Sequence, residues 1–175
     1  MKTTLLMATT LDGKIGRNSS HLVDWTGKDD KELFVKLTKD AGVIIMGSNT
    51  FDTLTQPLPG RRSIVMTRNR SRITRNFQDA LLGSDELIFT DKSPGDILAA
   101  LGAAGYETTI LIGGSKVNSL YLEAELIDEI YVTIVPRFFG KGLSMFSHDF
   151  DTRLELVNIQ PMDNGHITLK YIVCY

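Results

Sequence analysis

The chain of 175 residues is 42% hydrophobic and 23% charged, and it carries a formal net charge of −2. A chain of this length can bury its own core as one domain, and its charge argues against a nucleic-acid partner, because phosphate binding needs clustered positive charge. One cysteine, three scattered histidines and apolar runs well short of the ~20 residues of a membrane span exclude an internal disulfide, a metal site and a membrane partner. We therefore expect a cytoplasmic protein, monomeric or homodimeric.

Apolar strand patterns alternate with helical periodicity along most of the chain. In chain order, the patterns predict a strand over 3–9, a polar loop over 11–24, a helix over 27–40, a strand over 42–47, a helix over 48–54, a turn over 56–62, strands over 63–67 and 86–90, a helix over 93–105, a strand over 108–112, a helix over 115–126, and strands over 127–136, 153–161 and 166–175. Ser93 and Pro94 suit the N-cap and the first position of their helix. The segment MDNG between the last two strands is a hairpin signal.

Strand–helix units followed by an antiparallel pair define the fold class. They predict a single-domain α/β fold over 1–175, with one mixed, mostly parallel central sheet of about eight strands flanked by helices on both faces. Ligands of such sheets bind beyond the carboxyl ends of the strands. The residues that follow each strand are therefore the candidates for a functional site.

The predicted helix over 27–40 begins with two adjacent aspartates, Asp29 and Asp30. Thr26 suits an N-cap, and Asp29 follows it by three residues, so the pair predicts a capping box that explains Asp29 structurally. Asp30 is about 100° further round the helix and shares its face with an apolar stripe, Leu33, Phe34, Leu37 and Ala41. A carboxylate there is desolvated and becomes a candidate proton donor, although an aspartate in a first turn also serves the helix dipole alone.

Glycines end two of the predicted strands. Gly113 and Gly114 lead directly from the strand over 108–112 into a helix, so they suit either an ordinary turn or a close backbone approach to a phosphate. Gly47 ends the strand over 42–47. The side chains after it, Ser48, Asn49 and Thr50, either cap the short helix or bind phosphate and ribose.

Arginines follow the proline-rich turn and the strand after it. Arg61 and Arg62 come directly after PLPG, where a fixed arginine can fork a carboxylate. A second group of arginines suits a phosphate, although surface arginines are usually only solvated. This group consists of Arg68, Arg70, Arg72 and Arg75. Trp25, the one tryptophan, suits either a core position or a lid over a flat ligand.

Six segments, in order and at their spacing, resemble dihydrofolate reductase. They are MATTLDGKIG (7–16), Trp25 with DKELFVKLT (30–38), VIIMGSNTF (43–51), PLPGRRSIVMT (57–67), LIGGSKV (111–117) and IDEIYVT (127–133). The pyrimidine reductase of riboflavin biosynthesis shares LDGKI, the MG…T segment, the glycine pair and IDE. After Thr133, the segment VPRFFGKGLSMF (135–146) is more similar to that enzyme than to dihydrofolate reductase.

The resemblance implies a dihydrofolate-reductase-like fold and the reduction of a small-molecule substrate, 7,8-dihydrofolate, to tetrahydrofolate. Hydride would reach C6 of the pterin while N5 takes a proton. The implied catalytic residues are Asp30, Thr133 and Trp25, and Arg61 would fork the glutamate α-carboxylate. The other implied substrate contacts are Met7, Ala8, Lys31, Phe34, Leu54 and Ile112.

NADPH is the cofactor that the resemblance implies. Its binding residues would be Ala8, Ile15, Gly16, Gly47, Ser48, Asn49, Thr50, Thr67, Arg68, Ile112, Gly113, Gly114, Ser115, Lys116 and Val117. The Gly113–Gly114 bond would be a cis peptide, and the loop over 11–23 would be a lid that excludes water from the nicotinamide.

Two departures from the family pattern touch this site. Ser48 stands where an arginine is often found, so Arg68 and Lys116 would have to compensate at the 2′-phosphate of NADPH. Asn118 stands where an aromatic residue often lines the nicotinamide.

Two alternatives to dihydrofolate reduction stay open. A pyrimidine reductase acting on a ribosylamino-pyrimidine phosphate is favoured by VPRFFGKG, whereas Asp30 and PLPGRR favour dihydrofolate. A non-catalytic nucleotide-binding domain would use the Gly113–Gly114 segment alone.

Overall fold

The computed structural model of the protein describes residues 1–54, 56–84 and 86–175. The strands are β1 (Lys2–Thr10), β2 (Lys14–Gly16), β3 (Val43–Gly47), β4 (Arg62–Met66), β5 (Leu87–Thr90), β6 (Thr108–Leu111), β7 (Glu129–Val135), β8 (Leu143–Ser144), β9 (Arg153–Pro161) and β10 (Ile167–Cys174). The helices are α1 (Gly27–Ala41), α2 (Ser48–Leu54), α3 (Phe77–Leu82), α4 (Pro94–Ala103) and α5 (Ser115–Glu123).

Eight of these strands form one sheet in the order β5-β4-β3-β6-β1-β7-β10-β9. Six neighbouring strands, from β5 to β7, pair in parallel, and β10 pairs antiparallel with both β7 and β9. The predicted mixed, mostly parallel sheet with a C-terminal antiparallel hairpin is therefore confirmed.

Alternating side chains of the central strands build a core on each face of the sheet. In β3, Ile44 and Met46 pack in one cluster with Phe51 of α2 and the apolar face of α1. Ile45 points the other way, into a larger cluster that includes Tyr121 of α5 and residues of α3 and α4. Helices cover both faces, as the alternation of strand and helix patterns predicts.

Three elements were absent from the predicted order. Helix α3 begins after Asn76, whose side chain accepts a hydrogen bond from the Asp79 amide, and it has only six residues. Strand β2 lies inside the loop predicted over 11–24, and β8 lies between the strands predicted over 127–136 and 153–161. The two pair in a separate two-stranded sheet. Their three and two residues carry too little pattern to be recognised without their distant partner.

The sheet divides at the carboxyl end of β1. The β1–β6 ladder ends at Leu5 and Leu111, whereas the β1–β7 ladder continues to Thr10 and Val135. Beyond Leu111 the chain turns toward β3, because the Ile112 amide donates to the Ile45 carbonyl at 2.9 Å. We call the resulting space, between the end of β1 and the segment after β6 and beside α1, the cleft. Within the described residues, no helix has the length and apolar character to cross a membrane.

Candidate active site

The segment after β6 is a glycine cradle next to the end of β3. The Gly113–Gly114 peptide bond is cis, as the resemblance predicts. The Gly47 amide donates to the Gly113 carbonyl at 2.8 Å, which joins the ends of β3 and β6. A Cβ on Gly113, whose φ is +98°, would lie 3.2 Å from Met7 Sδ, and one on Gly47 would lie 3.0 Å from Val117 Cγ2. Gly113 therefore requires glycine for its conformation, whereas a side chain at Gly47 would force Val117 to shift.

Helix α5 begins at Ser115 directly after this cradle. Its N-cap, Gly114, provides no side-chain cap, and its carbonyl accepts from the amides of Val117 and Asn118. The amides of Ser115 and Lys116 are therefore the ones that can turn to a ligand. Lys116 is exposed in that turn, and Thr50 Oγ1 would lie 3.2 Å from a Cβ on Gly114. Backbone amides, a lysine and a hydroxyl together suit a phosphate group.

The first turn of α1 separates the two aspartates. The predicted capping box is wrong: Thr26 is the N-cap residue, but with φ −89° and ψ −5° its side chain makes no cap hydrogen bond. A capping side chain needs an extended backbone to reach the amides of the first turn. Asp29 Oδ2 instead accepts a hydrogen bond at 3.0 Å from the Asp163 amide, in the turn between β9 and β10. Asp29 is structural, as expected, but through a different partner.

Asp30 faces a different environment. It is half-buried, and so are its stripe neighbours Phe34 and Leu37. A desolvated carboxylate was expected in this stripe, but the stripe beside the cleft is itself only partly buried, and it packs in part against residues such as Leu6 and Ile112. Within the described residues, no group donates a hydrogen bond to the Asp30 carboxylate.

Thr133 belongs to a chain of hydroxyl groups behind the end of β1. It pairs with Ala8 in the β1–β7 ladder and is fully buried. Its Oγ1 lies 3.0 Å from Thr168 Oγ1, which donates to Met162 Sδ at 3.2 Å. Either hydroxyl can be the donor in this pair, and the lone pairs of Thr133 that the pair leaves free can accept further hydrogen bonds.

Arg61 is anchored at the far end of α1. It is 6% exposed, its Nε donates to the Pro59 carbonyl at 3.3 Å, and its Nη1 donates to Thr38 Oγ1. Burial lowers the pKa of Arg61, but an arginine stays charged at neutral pH. Nη2 forms no hydrogen bond within the described residues, so this nitrogen remains available to a carboxylate beside the cleft.

Two other predicted arginines are structural. Arg62 donates to the carbonyls of Leu81 and Gly83, which closes the carboxyl end of α3. Arg72 pairs with Asp52 at 2.9 Å and lies over the ring of Phe89. Arg72 is thus already committed to protein groups, and the phosphate role suggested for the arginine cluster would fall to its exposed members: Arg68, Arg70 and Arg75.

The loop over 11–23 meets a second loop at Phe139. Arg17 lies 4.4 Å from the centre of the Phe139 ring, and the rings of His21 and Trp25 meet it edge-on at 5.4 and 5.1 Å. Asp12 holds the two loops together, because its carboxylate accepts from the amides of Phe139 and Gly140 at 3.2 and 2.8 Å. Trp25 thus lies under the loop rather than in either core cluster.

The remaining predicted residues fall into exposed and buried groups. The partly buried ones are Met7, Ala8, Ile15, Ser48 and Leu54. The exposed ones are Lys31, Asn49 and Arg68. Gly16, Thr67, Ile112 and Val117 are buried, and Thr67 Oγ1 accepts from the Asn69 amide at 3.1 Å. All of the predicted cofactor residues lie on β1, on the loop over 11–23, or at the ends of β3, β4 and β6.

Three residues of the site escaped the sequence analysis. Thr38 positions Arg61, Thr168 bonds to Thr133, and Asp12 joins the two loops. A polar residue one turn beyond Phe34 was a usable signal for Thr38. The other two act through partners 35 and 127 residues away, which no local pattern indicates.

Comparisons with known proteins agree with this architecture. The model of the RibD C-terminal domain family matches residues 1–168. A dihydrofolate reductase of Ureaplasma parvum is 30% identical over 81% of this chain and 80% of its own length. Dihydrofolate reductase from Enterococcus faecalis, solved with NADP(H), is 24% identical and superimposes with a TM-score of 0.75 over 99% of this chain and 97% of that one.

A riboflavin-pathway enzyme shares the same fold. The diaminohydroxyphosphoribosylaminopyrimidine deaminase/5-amino-6-(5-phosphoribosylamino)uracil reductase of Thermotoga maritima has a TM-score of 0.78 at 17% identity, over 99% of this chain and 56% of its own. At that identity the likeness shows the fold alone. The match over 1–168 establishes the family, and the chain belongs to the RibD C-terminal domain family of dihydrofolate-reductase-like oxidoreductases.

Proposed function

We propose that the protein reduces 7,8-dihydrofolate to 5,6,7,8-tetrahydrofolate with NADPH as the hydride source. The observation that carries the proposal is Asp30, a half-buried carboxylate that receives no hydrogen bond from the described residues and shares the cleft-facing side of α1 with Phe34. A carboxylate left without a partner in a partly apolar wall suits a ligand that brings its own N–H donors.

The pterin ring has donors in the required pattern. Its 2-amino group and N3 would hydrogen-bond to Asp30, and the lone pairs of Thr133 would accept from the same amino group. Phe34 and Leu54, both in the cluster beside the cleft, would wall the ring and the aminobenzoyl group. Nη2 of Arg61 would meet the glutamate α-carboxylate with a charge-assisted hydrogen bond.

The chain also fits the cofactor. A Cβ on Gly113 or Gly47 would fill space at the cradle, and the uncapped first turn of α5 offers amides to a pyrophosphate. Lys116 and Arg68 would meet the 2′-phosphate, and Thr50 a phosphate or ribose hydroxyl. When bound, NADPH supplies the hydride that reaches C6.

The protein then has to orient the rings, exclude water and deliver one proton. Asp30 would hold the proton that reaches N5, so that one hydride and one proton saturate the N5–C6 double bond. The loop over 11–23, held to Phe139 by Asp12, would cover the nicotinamide side, with Trp25 packed beneath it.

A second candidate is the reduction of a ribosylamino-pyrimidine phosphate. The family match and the segment over 135–146 favour it. This reaction has no glutamate carboxylate for Arg61 and no evident need for the acid at Asp30. Basic residues in the substrate cleft would be required instead, to hold the phosphate.

Loss of NADPH absorbance tests the two reactions side by side. The purified protein is given NADPH with dihydrofolate, with the ribosylamino-pyrimidine phosphate, or with neither. We expect oxidation that depends on dihydrofolate, with a kcat/KM at least about 100-fold above that for the pyrimidine. Turnover of the pyrimidine alone would replace the proposed substrate, and NADPH binding without oxidation of either compound would leave only a nucleotide-binding role.

A further inference from the structure

Thr133 and Thr168 are a buried pair of hydroxyl groups on the face of the sheet that α1 covers. The two residues are direct partners in the β7–β10 ladder, and they are 0% and 3% exposed. Along β7, Tyr131 lies on the same face as Thr133 and packs in the cluster that includes the apolar side of α1, whereas Val132 points into the other cluster. The pair therefore faces the helix that carries Asp30.

A sulfur atom ends this group of polar atoms. Thr133 Oγ1 lies 3.0 Å from Thr168 Oγ1, and Thr168 Oγ1 lies 3.2 Å from Met162 Sδ. Within the described residues, neither hydroxyl group has another hydrogen-bond partner. The three side chains therefore form a line that runs from the end of β1, beside the cleft, to the turn between β9 and β10.

The turn between β9 and β10 holds the backbone of Met162 in place. The Met162 amide donates to the His166 carbonyl at 2.9 Å, which closes the hairpin. The next amide along the chain, that of Asp163, donates to Asp29 Oδ2 at 3.0 Å and ties the turn to the first turn of α1. A methionine side chain is flexible, but these two bonds fix where it starts, so the sulfur stays within reach of Thr168.

Two arrangements of protons are open to this line of atoms. In the first, Thr133 donates to Thr168 and Thr168 donates to Met162 Sδ, so the lone pairs of Thr133 are left for the cleft. In the second, Thr168 donates to Thr133, the proton of Thr133 points toward the cleft, and the sulfur receives no proton. The first arrangement suits a ligand N–H group, and the second suits a ligand oxygen.

We propose that Met162 and Thr168 select the first arrangement and thereby make the site specific for a ring that carries an amino group, rather than an oxo group, beside Thr133. A thioether sulfur is a weak acceptor, but it gives the Thr168 proton a partner that the second arrangement removes. Thr168 is then a positioning residue, because it orients the proton of Thr133 and does not itself touch the ligand. The inference rests on the proposed function, which places the substrate ring beside Thr133.

This selection concerns the carbon between the two nitrogens of a pyrimidine ring. Dihydrofolate carries an amino group on that carbon, whereas a uracil ring carries an oxygen there. An oxygen that faces the lone pairs of Thr133 would bring two acceptors together with no proton between them, which is costly in a buried site. The line of atoms therefore favours the class of rings to which dihydrofolate belongs.

Equilibrium dialysis with two matched ring compounds tests the inference. Pterin and lumazine have the same bicyclic ring and differ only in an amino or an oxo group at position 2. We expect the wild type to bind pterin at least about tenfold more tightly than lumazine. Thr168→Val removes the hydroxyl at nearly constant size, so it should lower the affinity for pterin about tenfold and change the affinity for lumazine by less than about threefold. Because Asp30 is unchanged in this variant, the change in the ratio of the two affinities isolates Thr168.

Further variants separate this role from a structural one. Thr168→Ser keeps the hydroxyl and should keep the wild-type ratio. Met162→Leu removes only the sulfur acceptor and should lower the ratio about threefold, so it carries the test if Thr168→Val does not fold. Thr109 of β6 is a matched control, because it is 0% exposed and its hydroxyl donates to the Val43 carbonyl at 3.3 Å, at the end of β6 away from the glycine cradle. Thr109→Val should lower the stability and leave the ratio unchanged.

An unchanged ratio in Thr168→Val and Met162→Leu would overturn the inference, and so would equal losses of affinity for both compounds, which indicate a structural role. A wild type that binds lumazine as tightly as pterin would also overturn it, as would dissociation constants above about 1 mM for both. The proposed function fails in a different way, when dihydrofolate causes no loss of NADPH absorbance in a protein that still prefers pterin to lumazine.

Discussion

Helix α1 lies between two regions, and its polar side chains find a hydrogen-bond partner in one of them but not in the other. On one side, the hairpin of β9 and β10 gives Asp29 a backbone partner 134 residues away in sequence. On the other side, in the cleft, Asp30 has no partner among the described residues. The comparison teaches that adjacent, identical residues acquire different roles from what packs against them. The same contrast divides Arg61, beside the cleft, from Arg62, which closes α3.

The largest effect is expected from the pair of aspartates. Asp30→Asn should lower kcat for dihydrofolate by about 10²- to 10³-fold at neutral pH, because the amide cannot hold the transferred proton. The loss should shrink as the pH falls, since solvent then supplies more of the protons. Steady-state rates across a pH series, together with NADPH binding by tryptophan fluorescence, measure the two parts separately.

Asp29→Asn is the matched control for that substitution. It keeps the size and removes the charge that the Asp163 amide meets, so stability should fall by about 1 kcal/mol while kcat stays within about threefold of wild type. Equal losses of kcat at the two positions would mean that both act through the helix, and the proton role of Asp30 would have to be abandoned.

The two arginines give the next largest contrast. Arg61→Ala should raise KM for dihydrofolate by about 10- to 100-fold, the usual value of a hydrogen bond to a charged group, and should leave a pterin without the glutamate tail nearly unaffected. Arg62→Ala should lower the thermal midpoint and leave both KM values unchanged, because its partners are carbonyls of α3 and its end. Parallel changes for the tailed and tailless substrates would remove Arg61 from the substrate site.

Long, strongly patterned elements of the fold were predictable from the sequence. VIIMG has no polar residue to place at a surface, and Ser93 with Pro94 marks the start of α4, where the Ser93 side chain accepts from the Asp96 amide. Helix α3 was missed because its end is closed by Arg62, a contact made only in the folded chain. Strands β2 and β8 were missed because five residues in total define their ladder.

The site was predictable in part, and the helical periodicity of α1 was more informative than the chemistry of its residues. A 3.6-residue repeat correctly put Asp30 and Phe34 on one face of α1, but it could not show that this face lines a cleft and stays half-exposed. The capping box failed for the same reason. Thr26 has the right residue type and position, but its backbone angles, φ −89° and ψ −5°, are not extended, and residue type does not reveal them.

A smaller effect is expected where the two loops meet. Asp12→Asn replaces one of the two carboxylate oxygens with an NH2 group, so only one of the Phe139 and Gly140 amides keeps an acceptor. The loop over 11–23 should then close less completely, with kcat lowered about tenfold. The Thr10 hydroxyl bond lowers the pKa of Asp12; burial opposes it, and the Phe139 and Gly140 amides add to it. The wild-type contact is therefore fully formed above the ordinary pKa of 3.8 and is lost as the pH falls through the lowered pKa of the folded protein.

Pre-steady-state hydride transfer measures this effect. The exposed Asp151→Asn is the charge-matched control, and it should behave as wild type. A normal hydride rate in Asp12→Asn would show that the loop closes without this contact.

The smallest effect is expected far from the cleft, at the other end of β7. Glu129 is buried and bridges Lys2 of β1 at 2.8 Å and Lys170 of β10 at 3.0 Å. Burial alone would raise the pKa of Glu129, but the hydrogen bonds from the two lysines outweigh it and lower the pKa from its ordinary value of 4.5. A lowered carboxyl pKa stabilises the folded state above the unfolded pKa, and this contribution is lost as the pH falls through the folded pKa.

Glu129→Gln should therefore lower the free energy of unfolding by about 1 kcal/mol at pH 7, a value kept small because both lysines are partly exposed. The gap between wild type and variant should close progressively below the ordinary pKa of 4.5, where the wild-type carboxyl becomes protonated. Urea unfolding at pH 7 and at acidic pH measures that gap, and kcat should not change at either. A gap of the same size at both values of pH would assign the stabilisation to packing of the side chain, because packing, unlike the lysine bridges, does not depend on the carboxylate charge.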